Sequence, residues 1–479
     1  MSLNKQLKRG LKWTFIDTFF LRGFTFLVLL GLARLLTPGD FGLIGVISVF
    51  MIIGTAIIEG GMGNSIIRDN TATETDYSSV FYGNIVMSFL IYPIMYLVAP
   101  IIADYFNDKI LTNLIRVSAL NFIISAFFSI QHSVLTKKMM FKKITLFNLP
   151  AVIIGSFIGL FLAYYGYGVW SLVYMHLSTQ LIKVVIYWSN SDWKPEARIS
   201  FLKLKKHFLF GYKLMISSLL NSIMTEVYSF LIGKKFSLNT LGYYNQAKTL
   251  RDYPVGLISA VISKVTFPLL SEIQEDKKKV SETYKLILRS IFFIISPIMF
   301  FLMVVAKPLF LILLTEKWLP AVPYFQILLI SGILIPIHTF NINIFKIYDR
   351  TDLFLKLEIV KFFMVFLSIL FGIFFGIYAL LISIVVISFV ALFVNTYYSG
   401  NLISYTTLDQ LKDMFPVVLI SIITFILSFF LVNLLDYYHR IVVVVIIFFF
   451  FSVVYIGISY LINKKHFYEM KKILLLVLK

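Results

Sequence analysis

Cysteine is absent from the 479-residue chain, which excludes disulfides, iron–sulfur clusters and thiol nucleophiles. Charged residues are scarce at 14%, whereas 59% of the residues are hydrophobic and the mean hydropathy is +0.88. A soluble domain has about 25% charged residues, so this composition indicates a protein of the lipid bilayer. The pattern GxxxxGK(S/T) is also lacking, which excludes a phosphate loop that binds ATP as the direct energy source.

Alternating apolar strands are lacking as well, which excludes a β-barrel. Apolar runs are continuous instead, and fourteen of them reach the length of about 20 residues that a spanning helix needs. No cleavage site follows the basic residues 1–12, so we expect the first span to be retained. The predicted spans are 12–36, 40–64, 79–103, 110–134, 145–165, 168–189, 207–233, 249–271, 283–306, 322–345, 354–377, 378–398, 413–434 and 440–462.

Lysine and arginine concentrate in alternate connecting segments. If the amino terminus is cytoplasmic, the inner segments hold more than three times as many of these cations as the outer segments. Cytoplasmic loops are enriched in Lys and Arg, so this bias predicts an even number of spans and two cytoplasmic termini. The net charge of +19 is therefore assigned to topology and an anionic membrane surface, and nucleic acid is not an expected partner.

An internal repeat aligns GLARLLTPGDFGLIG, residues 31–45, with LIGKKFSLNTLGYYN, residues 231–245. In this alignment Gly42 matches Gly242. Upstream, three polar positions spaced i, i+4 and i+7 match on one face of two helices; they are Thr18, Arg22 and Thr25 in the first copy and Ser218, Ser222 and Thr225 in the second. The copies begin at the first and seventh spans, so the halves are parallel copies related by an axis along the membrane normal.

The sequence thus predicts an all-α integral membrane protein of about 14 transmembrane helices, with two parallel six-helix lobes and two extra C-terminal helices. The predicted domains are an N-terminal lobe at 1–188, a cytoplasmic linker at 189–206, a second lobe at 207–400, and helices 13 and 14 with a basic tail at 401–479. The boundary between the eleventh and twelfth spans rests on Gly376.

Cations outnumber acids inside the predicted spans. The cations are Arg22, Arg34, Arg116, Lys183, Lys213, Lys264, Arg289 and Lys361, and the acids are Asp17, Glu59 and Glu226. A charge at mid-span costs about 2.5–3.5 kcal/mol, so each requires a partner, a wet cavity or a route to the surface. Lys183, Lys213, Arg289 and Lys361 are near cytoplasmic ends, where snorkelling satisfies this need.

Arg22 and Lys264 are near the middle of their spans, where two interpretations are open. They either form structural ion pairs or line a cavity and meet a diphosphate, whose negative charges favour fixed cations in a low-dielectric space. The seventh span also has a polar face that either holds helices together or forms a hydrated wall in contact with sugars. This face comprises Ser217, Ser218, Asn221, Ser222, Thr225, Glu226 and Ser229, and Thr18 and Thr25 belong to the corresponding face of the first span.

Four further residues are candidates for gating or ion coupling. Two of the four, Asp17 and Glu59, are acids within spans. Asp17 is a candidate for coupling to protons or sodium, as is Glu226 of the polar face. Arg34 and Lys234 occupy matching positions at the outer ends of spans one and seven, where a cation either complements the helix dipole or forms an outer gate. Metal-ligand spacing and a nucleophile–base constellation are both lacking, so we expect no metal, no cofactor and no catalytic residue.

Several segments carry a family resemblance. They are ARLLTPGDFG, EGGMGNSIIRDN, LTKKMMFKKI and LGYYNQAKTLRDYPVGLISAVISKVTFPLLSEIQED. Together they resemble the polysaccharide transporter family, the O-antigen and exopolysaccharide flippases of the superfamily that includes multidrug and toxin extruders and the peptidoglycan-precursor flippase. The similarity runs from about Leu7 to Lys465.

This resemblance implies two lobes in a V shape that alternate between inward and outward openings in the bacterial inner membrane. It implies a flippase, and no enzyme, that moves an undecaprenyl-diphosphate-linked oligosaccharide to the outer leaflet, with polysaccharide polymerase and chain-length proteins as candidate partners. It also implies cavity-facing cations on helices one, two and eight. Arg22 and Lys264 match by helix and depth, whereas Glu59 departs from the pattern.

Two alternatives remain. An ion-coupled extruder of amphipathic small molecules requires an acidic cavity when its cargo is cationic, and the excess of cations in the spans disfavours it. A membrane-embedded polysaccharide polymerase normally requires a large outer loop with clustered polar groups, and no predicted outer loop is long.

Overall fold

The computed structural model describes residues 20–435 and 437–462, with the backbone alone at 261, 263–265, 267, 268, 351, 354 and 355. These residues form helices and turns without a β-strand, which confirms the all-α class. The helices are α1 20–35, α2 Pro38–Glu59, α3 Met62–Arg68, α4 Glu74–Phe106, α5 Ile110–Ser118, α6 Leu120–Lys137, α7 Phe141–Tyr164, α8 Trp170–Asn190, α9 Phe201–Lys235, α10 Leu238–Glu272, α11 Lys277–Val304, α12 Ala306–Leu313, α13 Val322–Ile347, α14 Thr351–Phe375, α15 Ile377–Ile403, α16 Thr407–Leu434 and α17 Arg440–Ile462.

Every predicted span coincides with one or two of these helices, and the chain is a multi-span membrane protein. Within the described residues, 11 helical segments are long and apolar enough to cross a membrane. The predicted spans 12–36, 168–189 and 249–271 correspond to α1, α8 and α10, which do not meet that criterion over the residues described. The count of fourteen therefore stays a prediction. The boundary at Gly376 is confirmed, because this residue separates α14 from α15 with a φ of +93°.

The described chain divides into two compact units, and the division follows Gly242. The first unit therefore contains α1 to α9 and the start of α10. The predicted second lobe began earlier, at residue 207, and included α9. The boundaries of the two lobes stay a prediction, whereas the packing of α9 within the first unit is directly visible.

In the first unit, α7 and α8 form a tight antiparallel pair. Gly155 and Gly159 occupy one face of α7 at a spacing of four residues, and a Cβ at either position would overlap Thr179 or Met175 of α8. Small residues at this spacing allow two helix backbones to approach closely within a membrane. The glycines therefore explain why two helices with few charges associate without a strong hydrophobic driving force.

The connection between α8 and α9 is fixed to the start of α4. Trp193 is buried there and packs edge-on against Tyr77 and Phe81, at centroid distances of 6.1 and 6.0 Å. The buried Ser78 and Ser79 hydroxyl oxygens accept hydrogen bonds from the backbone N–H groups of residues 196 and 200, both at 2.9 Å. These contacts set where α9 begins.

The second unit has a polar network in its core. The Asn341 side-chain oxygen accepts hydrogen bonds from Tyr284 at 2.6 Å and from Ser399 at 2.7 Å, and these three residues join α13, α11 and α15. Nearby, Arg289 donates to Asp413 at 2.5 Å. The sequence assigned Arg289 to snorkelling and did not anticipate this ion pair. Its carboxylate partner is more than 120 positions away in the sequence, so no local pattern indicated the pair.

The internal repeat is visible in the caps of α2 and α10. The Thr37 hydroxyl accepts from the Asp40 N–H at 3.3 Å, and the Ser237 hydroxyl accepts from the Thr240 N–H at 3.0 Å. Both pairs have the same spacing and occupy matching positions of the repeat. A polar side chain at each cap satisfies one of the free N–H groups of the first turn.

The same repeat produces a reciprocal backbone contact, which we call the glycine contact. A Cβ at Gly42 would overlap the carbonyl oxygen of Leu238, and a Cβ at Gly242 would overlap that of Pro38. Positions 38 and 238 match in the repeat, as do 42 and 242, so each helix presents its glycine to the first residue of the other. This exchange is the signature of a local two-fold axis.

Replacement of Gly42 by alanine tests this contact. Alanine in a helix is normally more stable than glycine by about 1 kcal/mol, but here the methyl group collides with backbone that cannot rotate away. We expect Gly42→Ala and Gly242→Ala each to lower the free energy of unfolding by about 1–3 kcal/mol. The thermal unfolding midpoint of the purified protein should fall as a result. Gly457→Ala is the matched control, because a Cβ at Gly457 meets nothing within 4 Å. Equal midpoints for Gly42→Ala and Gly457→Ala contradict the contact.

Candidate functional site

Helix α9 contacts α2 and α4 near the glycine contact. A Cβ at Gly233 would be 3.3 Å from Val46 of α2 and 3.2 Å from Phe106 of α4. Phe230, one turn earlier, stacks on Tyr105 at 5.7 Å and meets Phe106 edge-on at 5.3 Å. Aromatic and glycine packing therefore closes this end of the α2–α9 pair.

The other end of α9 contacts the turn between α2 and α3. Gly60 and Gly61 both have positive φ there, at +54° and +67°, and a Cβ at Gly61 would overlap the carbonyl oxygen of Gly211. At 1.5 Å per residue, the helix axis from Gly211 to Gly233 is about 33 Å long, whereas that from Val46 to Gly61 is about 22 Å. Between these two contacts, Phe50 of α2 also meets Phe230 of α9 edge-on, at 6.4 Å between ring centroids.

The polar face of α9 is in this interval. Residues 212–227 are exposed or half-buried throughout, and Ser218, Asn221 and Thr225 are among the exposed positions. A polar group that faces acyl chains without a partner is costly, and these side chains do not pack between helices. Leu214, Leu220 and Ile223 of the same interval are exposed as well, and the hydrated wall stays a prediction.

The other predicted site residues differ in position. On α1, Arg22 is exposed and Thr25 is half-buried. On α9, Ser222 is half-buried, and Glu226 accepts a hydrogen bond from the buried Ser229 at 3.1 Å. Asp17 and Thr18 lie outside the described residues, as does the side chain of Lys264, and the roles assigned to these three residues stay predictions.

The two gate candidates are close to the glycine contact. Lys234 donates to the carbonyl oxygen of Tyr105, and its Nζ is 4.3 Å from the centroid of the Tyr105 ring. Arg34, its counterpart in the repeat, is exposed near the end of α1. Lys234 thus ties the carboxyl end of α9 to α4, which agrees with a structural contact at this end.

A buried hydrogen-bonded group, which we call the histidine cluster, fixes the amino end of α9. His207 is fully buried, and its Nδ1 is 2.8 Å from the Ser65 hydroxyl of α3. Its Nε2 is 3.2 Å from Asp76 of α4, and Lys203 Nζ is 2.8 Å from the same carboxylate. Sequence reasoning missed this cluster because His207 is more than 130 positions from both Ser65 and Asp76.

A second ion pair adjoins the cluster on its loop side. Lys206 Nζ is 2.6 Å from Asp69, which also accepts from the Thr71 hydroxyl at 2.7 Å and the Thr71 N–H at 2.9 Å. The hydrogen bonds from Lys206 and Thr71 hold the pKa of Asp69 well below its usual range. Asp69 is therefore ionised at neutral pH, and the loop that follows α3 stays bound to α9.

Glu59 lines a polar cavity beside this end of α2. The cavity has a volume of about 390 Å³ and is bounded by α2, α3, α4 and α6. It opens between Glu59 and Asn64, which are exposed, whereas its far wall at Asn84 is buried. Glu59 therefore lines a defined cavity at the predicted cytoplasmic side of α2, where the resemblance implied a cation.

Comparison with known sequences gives relatives named for bacterial polysaccharide synthesis. The chain is 24% identical to the Teichuronic acid biosynthesis protein TuaB of Bacillus subtilis (strain 168), over 74% of this chain and 73% of that protein. It is 23% identical to the Lipopolysaccharide biosynthesis protein WzxC of Escherichia coli (strain K12), over 76% and 74% respectively. It is 24% identical to the Succinoglycan biosynthesis transport protein ExoT of Rhizobium meliloti (strain 1021), over 70% and 68%.

Comparison with solved structures establishes the fold. The lipid II flippase MurJ in an inward closed conformation superposes with a TM-score of 0.72 at 17% identity, over 95% of this chain and 99% of that one. An inward-facing multidrug resistance MATE family transporter of the MOP superfamily superposes with a TM-score of 0.60 at 18% identity, over 79% and 94%. Both likenesses confirm the transporter fold that the resemblance implied.

A sequence model of one family covers the region that contains α2 to α12. It is the family described as Polysaccharide biosynthesis protein, and it matches residues 31–323. This range includes the glycine contact, the polar face of α9 and the histidine cluster. Since the match spans more than half of the sequence, the chain belongs to the Polysaccharide biosynthesis protein family.

Proposed function

We propose that this protein is a flippase that moves an undecaprenyl-diphosphate-linked oligosaccharide from the cytoplasmic to the outer leaflet of the bacterial inner membrane. The observation that carries the proposal is the exposed polar face of α9 between two closed contacts. A wall of hydroxyl and amide groups provides a hydrated path for a headgroup across the apolar interior. The lipid tail stays in the bilayer throughout.

The headgroup presents two chemistries that the chain matches separately. Its diphosphate needs fixed cations, and Arg22 supplies an exposed guanidinium on α1 that can bind two phosphate oxygens at once. Lys264 is the proposed second cation, from the other half of the repeat. The sugar hydroxyls need neutral donors and acceptors, and Ser218, Asn221 and Thr225 supply them.

Transport of this kind breaks no covalent bond, so we propose that the protein is not an enzyme. An ion gradient or the membrane potential would bias the direction, with protons or sodium as the coupling ion. Asp17 and Glu226 are the proposed coupling acids, because each is inside a predicted span. Polysaccharide polymerase and chain-length proteins are the proposed partners, since they would receive the flipped substrate.

Alternating access requires that the two ends of the α2–α9 pair open in turn. The glycine contact and its aromatic neighbours close one end, and the histidine cluster closes the other. One end separates by sliding apolar surfaces and backbone apart. At the other end, opening breaks the hydrogen bonds that Asp76 accepts from His207 and Lys203, and water replaces them. We propose that these two ends are the outer and inner gates.

Charge reversal at Arg22 tests the diphosphate assignment. In proteoliposomes that contain a labelled undecaprenyl-diphosphate oligosaccharide, the rate of transfer between leaflets is read from accessibility to a membrane-impermeant enzyme. We expect Arg22→Glu to lower the rate at least tenfold, because it replaces an attractive charge by a repulsive one, and Arg22→Lys to retain part of it. Lys109→Glu, at an exposed loop position, is the control and keeps the wild-type rate.

Two results contradict the proposal in different ways. Wild-type transfer by Arg22→Glu removes this residue from the phosphate site. If the wild-type protein changes the covalent structure of the substrate, the flippase proposal is wrong and the polymerase alternative is favoured.

Removal of polar groups from α9 tests the proposed sugar wall. We expect Asn221→Leu with Thr225→Leu to slow transfer of the glycan-bearing lipid about tenfold or more, since each neutral hydrogen bond contributes about 1 kcal/mol. Ile223→Leu is the control, because Ile223 is an exposed apolar residue of the same helix. The same assay applied to a diphosphate lipid without sugar separates the effects, and equal slowing of both lipids argues against sugar contact.

A further inference from the structure

The cavity beside Glu59 is not part of the polar face of α9. Its lining residues come from the end of α2, the turn into α3, α4 and α6; they are Glu59, Gly61, Gly63, Asn64, Ile67, Asn84, Ser125, Phe128, Ser129, Ile130, His132, Ser133 and Thr136. Most of these side chains are polar and uncharged. Among the described residues, neither lysine nor arginine lines it, so the cavity is chemically distinct from a diphosphate site.

The lining is rich in free hydrogen-bond acceptors. The hydroxyls of Ser125, Ser129, Ser133 and Thr136 donate to carbonyl oxygens of their own helix, at 2.9–3.4 Å. A hydroxyl oxygen that donates its proton keeps lone pairs that can accept. With the Glu59 carboxylate, α6 thus offers a row of acceptors to a ligand that carries hydrogen-bond donors.

Asn84 gives an independent indication of a ligand. Its side chain is 1% exposed, and its Nδ2 donates to Ser129 at 3.2 Å. Its Oδ1 is buried and has no hydrogen-bond partner within the described residues. An unpaired buried carbonyl oxygen costs about 1–3 kcal/mol, and a donor bound in the cavity that Asn84 lines would satisfy it.

The volume of the cavity distinguishes between a metal cation and an organic ligand that carries hydrogen-bond donors. A hard cation needs about six oxygens at about 2.3–2.6 Å, as for calcium, and thus a site close to its own size. The volume of about 390 Å³ is instead within the range of about 300–1,000 Å³ that is typical of organic ligands. Phe128 contributes an aromatic side chain to the lining, and its ring also packs against Tyr187 at 5.4 Å between centroids. Acceptors, one aromatic ring and this volume together suit a pyranose.

We propose that this cavity is a carbohydrate subsite that binds one pyranose of the substrate glycan at the predicted cytoplasmic side. The proposal rests on the proposed function in one respect, since it takes the sugar to belong to the transported lipid. Glu59 and the Asn84 carbonyl accept from the sugar hydroxyls. The subsite therefore selects substrate by its glycan, separately from the cations that hold the diphosphate.

The position of the cavity connects its occupancy to α9. Gly61 lines the cavity and also contacts the backbone of Gly211. Asn64 lines it, and the next residue, Ser65, is bound to His207 of α9. A sugar in the cavity therefore presses on the same turn that closes the amino end of α9, so that recognition of the glycan acts on the contact that must open.

Binding of free sugars tests the subsite without transport. The full-length protein is placed in nanodiscs free of maltoside detergent, because a sugar headgroup would compete. Saturation-transfer NMR is then recorded with methyl glycosides of glucose, galactose, N-acetylglucosamine, N-acetylgalactosamine and rhamnose. We expect at least one glycoside to bind the wild type, Asn84→Ala to weaken its affinity about fivefold, and Ser125→Met, which fills the cavity, to abolish binding.

The control is Ser88→Ala, which removes a buried hydroxyl one turn from Asn84 that bonds only to its own helix and does not line the cavity. It should bind like the wild type. Absence of binding by all five glycosides, or binding unaffected by Asn84→Ala and Ser125→Met, overturns the subsite. The subsite is also overturned, in favour of a cation site, if no glycoside binds and sodium raises the thermal stability of the wild type but not of Asn84→Ala. If the protein binds a glycoside but does not transfer lipid between leaflets, the subsite is supported and the proposed function is overturned.

Discussion

One constraint underlies the rest of the structure: α9 packs against neighbouring helices at both ends, whereas its residues 212–227 are exposed or half-buried. Such an arrangement exists because Gly61 and Gly211 allow backbone contact at one end, and because Gly233 leaves room for side chains of α2 and α4 at the other. Between these contacts the helix presents hydroxyl and amide groups, which a membrane interior accepts only beside water or a ligand. The proposed function therefore requires hydrated space beside this segment.

The two ends differ in the physical work that their separation requires. At the glycine contact, van der Waals packing is lost and few polar groups are uncovered. At the histidine cluster, Asp76 loses the hydrogen bonds from Lys203 and His207 of α9, and water must replace them, whereas the bond from Thr73 in its own helix cap remains. A gate built from ionisable groups opens readily only where water reaches it, which agrees with its predicted place on the cytoplasmic side.

Sequence reasoning predicted the helical class, the positions of the helices and the significance of the repeat, because hydropathy and spacing are local properties. The match of Gly42 with Gly242 identified two positions that take part in the glycine contact, but the alignment predicted no contact between the helices. The ion pair of Arg289 with Asp413 and the histidine cluster were missed, since each joins residues more than 120 positions apart. The cavity was missed for the same reason: the serines of α6 are ordinary helix residues until Asn84 and Glu59 are placed beside them.

The central claim is that the α2–α9 pair must separate near the glycine contact for substrate to cross. The native chain has no cysteine. A Cβ at Gly233 would be 3.3 Å from the Cγ2 methyl of Val46, and a cysteine at position 46 can place its sulfur where that methyl group is. Val46→Cys with Gly233→Cys therefore allows this end to be locked, with mass spectrometry to verify the bond. We predict that the oxidised protein loses lipid transfer, that reduction restores it, and that each single variant is unaffected by oxidant. Undiminished transfer with the bond fully formed would contradict the account.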